Sequence, residues 1–292
     1  MKVGIVGLGV IGSRVAARLA EAKYLQSVYN RTSSRAKAFA EEKGVSAEGS
    51  VAALAQKCDV VITILTNDSA VREVMGSILD GPLDGKTFID MSTISPSTSS
   101  SLASELNRMG ARMLDAPVVG SANAVEKGEA VLLVGGERHE FERRFQLLRS
   151  IANEVVYVGP NGSGLRLKLL HNLVLASYVV ALGESIRFGL EGDLDPKMIE
   201  RLLTTLSSVR SPNSAIKVPK ILNSEYGVQF SLKNMIKDLE IILGEAELQG
   251  SPVPLTALSH QLYTLAQNRG FSEDDFSVVS ELFKKGREDA ER

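Results

Sequence analysis

Lys2-Val3-Gly4-Ile5-Val6-Gly7-Leu8-Gly9-Val10-Ile11-Gly12 is the stretch that decides the fold. Its first five residues read as a buried strand, and a helical pattern from Ser13 to Leu19 follows at once, so Gly7, Gly9 and Gly12 fall in a strand-to-helix turn with G-x-G-x-x-G spacing. In such a turn Gly7 permits the tight bend, Gly9 lets the backbone approach a pyrophosphate, and Gly12 lets the helix pack closely on the strand. Together with Leu8, Val10 and Ile11 they aim the free N–H groups of the helix start at the phosphates. The context predicts a dinucleotide-binding Rossmann unit.

The next strand, Ser27-Val28-Tyr29, ends in Asn30-Arg31-Thr32 at the distance where an NAD site normally offers Asp or Glu to the ribose. A neutral Asn30 removes repulsion of a 2′-phosphate and the Arg31 guanidinium clamps one, with Thr32, Ser33 and Arg35 as further donors, so NADP(H) is the expected coenzyme. Asp59 to Leu65 is a continuous apolar strand of the parallel-sheet kind, closed by Thr66-Asn67-Asp68, and Thr87 to Met91 reads as a further strand, ending in Ser92-Thr93. Leu65, Thr66, Asn67 and Thr93 stand at carboxyl ends of strands, where a doubly wound sheet presents its crevice. Strands then continue at Arg112 to Asp115, Ala130 to Gly136 and Glu154 to Val158.

After Gly164 no further strand pattern is evident, and helical periodicity runs through Met198 to Leu206, Leu232 to Leu248 and Thr256 to Asn268. The expected architecture is α/β: an N-terminal doubly wound Rossmann sheet over residues 1–160, then a long interdomain helix opening an all-α C-terminal domain over residues 161–292. In Gly162-Ser163-Gly164-Leu165-Arg166-Leu167-Lys168-Leu169-Leu170-His171-Asn172 a helix puts Lys168 and Asn172 one above the other on one face. Apolar residues occupy every side of this segment, which predicts a helix buried all round. A buried lysine has its pKa drawn down from about 10.4 toward neutrality, as suits proton exchange, although a lysine snorkelling into solvent is the commoner arrangement for such a segment taken alone. His171, about 100° around the helix from its neighbours, is a rival acid/base.

The 292 residues carry a net charge of -2 and 44% hydrophobic side chains, so a basic field for nucleic acid is missing and a sizeable core is expected. The single cysteine, Cys58, and three scattered histidines offer no disulfide framework and no metal-ligand spacing. Met1 leads straight into a strand and the apolar run from Leu173 to Leu182 is short for a bilayer, so a cytoplasmic chain without membrane contact is expected. The charged stretch from Lys284 to Arg292 reads as an exposed helix terminus.

With the glycine loop, Asp115-Ala116-Pro117-Val118, the Gly164, Lys168, Asn172 segment and Lys237-Asp238-Leu239 in this order, the chain resembles the β-hydroxyacid dehydrogenase family over nearly its whole length. That family contains 3-hydroxyisobutyrate dehydrogenases and glyoxylate and succinic semialdehyde reductases. The resemblance implies that Lys168 is the general acid/base, that Asn172 is its partner at the substrate, and that Gly120 contacts the substrate carboxylate. It places Thr93 beside the nicotinamide and Lys237 against the coenzyme, and implies a homodimer or homotetramer formed through the helical domains. Phe230, ahead of Lys237, is a candidate wall for the nicotinamide, although an aromatic at helical spacing is more often core. The family loop usually continues Ser-Gly-Gly, whereas this chain has Val119-Gly120-Ser121, an isopropyl group in place of a hydroxyl. Backbone N–H groups and the Ser121 hydroxyl are then expected to hold the acid in a pocket made more apolar by Val119.

The expected activity is hydride transfer between NADP(H) and a short 3-hydroxy acid or the corresponding semialdehyde. Imine reductases share the architecture but usually carry Asp or Tyr where Lys168 stands. Members acting as non-enzymatic dinucleotide-binding scaffolds have lost the lysine, and 6-phosphogluconate dehydrogenases have a much longer helical region.

Overall fold

The computed structural model describes residues 1–79 and 81–284, so the expected terminal helix lies, beyond Lys284, outside the described residues. By contacts the chain divides into two compact units, Met1–Leu169 and Leu170–Arg292, the division falling inside the helix Ser163–Glu191.

The first unit is built on one sheet with nine strands: β1 (Val3–Val6), β2 (Leu25–Tyr29), β3 (Ser46–Ala47), β4 (Val60–Thr63), β5 (Thr87–Asp90), β6 (Arg112–Asp115), β7 (Val118–Val119), β8 (Val131–Gly136) and β9 (Glu154–Gly159). The order β3-β2-β1-β4-β5-β6 is parallel throughout, and the direction of winding reverses between β1 and β4. That reversal opens a crevice at the carboxyl ends of β1 and β4. Beyond β6 the strand β8 runs antiparallel to β6 and β7, and β9 closes the sheet parallel to β8. Strands β6 and β7 follow one edge of β8 and are interrupted at Ala116-Pro117, where proline has no N–H to give, although Leu133 still donates to the Pro117 carbonyl at 3.3 Å.

Strands β1, β4 and β5 are buried on both faces; β1 and β4 accordingly read as near-continuous apolar runs, while β5 buries Thr87 and Asp90 at its two ends. Alternate side chains feed two cores. Ile5, Val28, Ile62 and Ile89 pack with Val15, Leu19 and Leu148 on one face, while Val6, Val61 and Phe88 pack with Leu54, Met75 and Leu106 on the other.

The second unit is helical, with no strand among its described residues: the later part of Ser163–Glu191, then Pro196–Arg201, Pro212–Asn223, Leu232–Gln249 and Pro254–Asn268, and a 3-10 turn over Phe276–Phe283. The helix expected from Met198 to Leu206 widens into a π-turn at Leu202–Leu206, where the Thr204 hydroxyl donates to the Glu200 carbonyl at 2.7 Å and Ser207 N–H bonds Leu202. A hydroxyl competing for the i−4 carbonyl loosens the turn. Helix Pro212–Asn223 left little trace in the sequence because Pro219 lies inside it. The unit's interior is tied by a buried ion pair: Lys217 Nζ stands 2.8 Å from both oxygens of Asp275 and 4.5 Å over the Phe276 ring. Asp275 also accepts the N–H groups of Gln229, Phe230 and Ser277, joining the loop before Leu232–Gln249 to the 3-10 turn. Burial alone would raise the Asp275 carboxyl, but the Lys217 charge and these donors hold it below the usual range.

The long helix is not buried all round as its composition suggested. Lys168, Leu169 and Asn172 are buried, whereas Leu170 and Val174 are each 60% exposed and Phe188 84%. An apolar residue is a poor marker of burial, because much of any protein surface is apolar.

Candidate active site

The crevice at β1 and β4 is lined by the glycine turn, and its three glycines lack a Cβ for different reasons. Gly7 has φ +102°, and a Cβ on it would fall 2.2 Å from the Ile64 carbonyl oxygen. At Gly12 a Cβ would meet the Gly7 carbonyl oxygen at 2.1 Å. Gly9 faces open space, with nothing within 4 Å of a Cβ built there. Helix Val10–Glu21 begins at Gly9 without a side-chain cap and without acidic residues in its first turn. Unbonded N–H groups beside an open space fit a pyrophosphate.

Asn30 turns back toward this loop. Its Oδ1 accepts the Leu8 N–H at 3.0 Å and its Nδ2 donates to the Thr32 carbonyl at 3.2 Å, so the side chain braces the glycine turn from the end of β2. Outward of it, Arg31 and Arg35 are exposed, and no carboxylate among the described residues pairs with either. Thr32 opens helix Ser33–Lys43, again without a side-chain cap. Arg31 and Arg35 thus bring two guanidiniums without a carboxylate partner among the described residues to the start of a helix.

The loops after β4 and β5 are tied to each other. Leu65 N–H donates to Ser92 Oγ at 2.8 Å, and Ser95 donates through N–H and hydroxyl to Asp68 at 3.1 and 2.5 Å. Thr66 and Asn67 are exposed, Asn67 capping helix Asp68–Gly76 through Ala70 N–H, and Thr93 is half-buried. Under the loops lies Asp90, fully buried. Its Oδ1 accepts Thr63 Oγ1 at 2.7 Å, Ser92 Oγ at 2.6 Å and Ser92 N–H at 3.3 Å, while Oδ2 has no partner among the described residues. Burial outweighs these donors and raises the carboxyl to about 6, neighbouring Asp115 adding to the rise.

Beside helix Val10–Glu21, whose Arg14 pairs with Glu126 at 3.3 Å, Val119 is half-buried, Gly120 is exposed with φ +136°, and Ser121 caps the short helix Ala122–Lys127 by accepting Ala124 N–H at 3.3 Å. That bond uses an oxygen lone pair and leaves the Ser121 hydroxyl proton to donate elsewhere. Lys168 lies in the second turn of helix Ser163–Glu191 and is only 8% exposed.

In the second unit Asn172, one turn along from Lys168, is 1% exposed. Its Nδ2 donates to Asp238 Oδ2 at 2.5 Å, and Asp238 Oδ1 is held by Lys237 Nζ at 2.8 Å. Asp238 therefore fixes which way the Asn172 amide faces. Within Lys237-Asp238-Leu239 it had no role of its own from sequence reasoning; an acidic residue at a core-facing helix position was the available signal. Phe230 packs edge-on against Phe276 at 5.9 Å between centroids, and His171 is half-buried. Among the described residues no cluster of His, Cys, Asp or Glu is arranged to hold a metal ion.

Comparison with known proteins gives two adjoining family matches. The family model of the NAD-binding domain of 6-phosphogluconate dehydrogenase matches residues 2–159, and that of the NAD-binding region of NADP-dependent 3-hydroxyisobutyrate dehydrogenase matches residues 162–283. The mitochondrial 3-hydroxyisobutyrate dehydrogenase of Mus musculus is 33% identical over 97% of this chain and 87% of its own length. The chain belongs to the β-hydroxyacid dehydrogenase family. Another member, the chloroplastic glyoxylate/succinic semialdehyde reductase 2 of Arabidopsis thaliana, is 29% identical over 98% of this chain and 80% of its own. In fold, this β-hydroxyacid dehydrogenase is similar to the 3-hydroxyisobutyrate dehydrogenase of Mycobacterium tuberculosis solved with L-serine. That likeness has a TM-score of 0.89 and 24% identity, covering 97% of this chain and 99% of that one. Its nucleotide site is of the NAD(P) type.

Proposed function

We propose that this β-hydroxyacid dehydrogenase uses NADP(H) and interconverts a short 3-hydroxy acid and the corresponding semialdehyde, with Lys168 as the proton-transferring residue. The observation that carries the proposal is a lysine 8% exposed, one helical turn before an asparagine whose amide is locked to a buried carboxylate. A primary amine at that position can take the proton of a substrate hydroxyl or return it to an alkoxide. Asn172, held by Asp238, orients the reacting group without changing its own charge. The coenzyme supplies the hydride acceptor or donor.

Support for NADP(H) comes from the end of β2. Asn30 brings no negative charge and is engaged with the glycine turn, while Arg31 and Arg35 stand unpaired at the start of helix Ser33–Lys43. A guanidinium there favours the 2′-phosphate by a charge-assisted contact. Support for an acid substrate comes from the Val119 to Ser121 loop, where backbone N–H groups and the Ser121 hydroxyl are the donors offered to a carboxylate and Val119 narrows the room for polar substituents.

The test is a panel of initial rates: NADPH and NADH oxidation with glyoxylate, succinic semialdehyde and methylmalonate semialdehyde, and NADP reduction with 3-hydroxyisobutyrate and L-serine. The proposal expects turnover with NADPH on the short semialdehydes and the reverse reaction with a 3-hydroxy acid. NADH used as well as NADPH would remove the coenzyme assignment, and turnover of none of these substrates by NADPH-binding protein would remove the substrate class.

A further inference from the structure

Asp115 lies at the carboxyl end of β6, completely buried, and is paired in register with Asp90 on β5 and Gly135 on β8. Burial raises its carboxyl above the ordinary range against the pull of several backbone donors. A carboxylate in that position is costly, and its surroundings are shaped to keep it. Its Oδ1 accepts the N–H of Gly162 at 2.7 Å and its Oδ2 that of Leu165 at 3.0 Å. These are orphan donors at the start of helix Ser163–Glu191, which glycine at position 162 cannot cap with a side chain. Asp115 reaches across from the sheet and supplies the missing acceptor, a carboxylate at the positive end of a helix.

Two glycines make room for it. A Cβ at Gly135 would fall 2.5 Å from Asp115 Oδ1, and one at Gly164 would fall 2.8 Å from Oδ2 and 2.2 Å from the Leu133 carbonyl oxygen. Gly164 thus owes its identity to the approach of helix and sheet around this carboxylate. Asn161 adds a second tie, its Nδ2 donating to the Met113 carbonyl at 2.9 Å, so the turn before the helix is fastened to β6 at two points.

We propose that Asp115 is a positioning residue for the proton transfer: by holding the Gly162 and Leu165 amides it fixes where Lys168 stands relative to the Val119 to Ser121 loop. Leu165 and Lys168 are three residues apart, neighbours along one helix face, so a shift of the anchored turn is a shift of the lysine. The Val119 to Ser121 loop continues the chain four residues beyond Asp115, which makes this carboxylate the common fixed point of base and acid-binding loop. The proposal rests on the assignment of Lys168 above.

The test uses Asp115→Asn and Gly164→Ala in the full-length enzyme, each preparation titrated for NADPH-binding sites and assayed with the best substrate of the panel. Asparagine keeps one acceptor oxygen and turns an NH2 group toward the other amide, donor against donor; the Gly164→Ala methyl pushes the helix start away from the same carboxylate. Expected is a fall in kcat of about tenfold to a hundredfold, the scale of a misplacement near 1 Å, with the coenzyme KM and NADPH affinity within about twofold. Lys168→Ala is run in parallel: if it keeps turnover, the assignment of the lysine has failed, whereas loss in Lys168→Ala with wild-type kcat per binding site in either Asp115→Asn or Gly164→Ala overturns the positioning role alone. Loss of NADPH binding in both variants also overturns it, by placing Asp115 in the integrity of the sheet.

Discussion

Replacing Asp90 by asparagine should separate the cost of a buried charge from the use of its hydrogen bonds. Asp90 has an ordinary carboxyl value of 3.8 when unfolded and about 6 in the folded chain, because burial prevails over three donors. A rise of about two units corresponds to roughly 3 kcal/mol of preference for the neutral form in the folded state. The sign follows from the direction: the contribution is fully present below the unfolded value near 4 and is lost as pH rises through about 6. Asparagine stays neutral and keeps the oxygen that accepts from Thr63 and Ser92, so the variant does not share this loss. The wild type should therefore fall by about 2.4 kcal/mol relative to Asp90→Asn between pH near 4 and pH near 7.5, the titrations of groups not coupled to Asp90 cancelling in the difference and that of neighbouring Asp115 being followed alongside. Because the chain holds two compact units, the measurement is amide exchange of β4 and β5, which reports the opening energy of that sheet itself. Carbon NMR titration of the Asp90 carboxyl gives the same quantity directly. A constant difference between the two proteins across that pH range, or a carboxyl titrating below 4, would mean that burial does not prevail over the donors at Asp90.

Gly9→Val should fold with wild-type thermal stability and lose NADPH binding, since its side chain enters open space, whereas Gly12→Val should lose both, its Cβ being 2.1 Å from the Gly7 oxygen; thermal unfolding with and without NADPH separates the two. Lys217→Met leaves the Asp275 carboxylate buried without its cation and should cost about 3 to 5 kcal/mol by denaturant unfolding of the helical unit, with partial recovery in Lys217→Met/Asp275→Asn. Arg31→Ala should raise the KM for NADPH by about tenfold or more, the scale of one charge-assisted contact, and leave that for NADH within about twofold; equal changes would place the 2′-phosphate elsewhere.

Local patterns carried most of the fold. The glycine turn, the apolar runs of β1 and β4, and the loss of strand pattern after β9 are all legible within a window of a dozen residues, because parallel strands buried on both faces and strand-to-helix turns impose their own composition. What the sequence could not show are bonds that close over long separations. Asp115 meets Gly162 and Leu165 across 47 and 50 residues, Asn172 meets Asp238 across 66, and Lys217 meets Asp275 across 58. Asp115 and Asp238 stood in the motifs that carry the family resemblance, but the bonds they make, like that of Asp275, appear only when the sheet or the helix pair brings their donors to them. Asn30 illustrates the same limit at shorter range: its lack of charge was readable, but its bond to the Leu8 amide depends on β2 lying beside β1. Helix Pro212–Asn223 was hidden by its internal proline, and the widened turn at Leu202–Leu206 by a threonine whose hydroxyl competes with its own backbone.

The most direct test of the assignment of Lys168 is the comparison of wild type and Lys168→Ala in NADPH oxidation with a short semialdehyde, each normalised to NADPH-binding sites. The expected loss of kcat is about a hundredfold to ten-thousandfold, the contribution typical of a positioned acid/base, with NADPH affinity unchanged. Turnover by the variant within about tenfold of wild type would contradict it and move the proton transfer to another group.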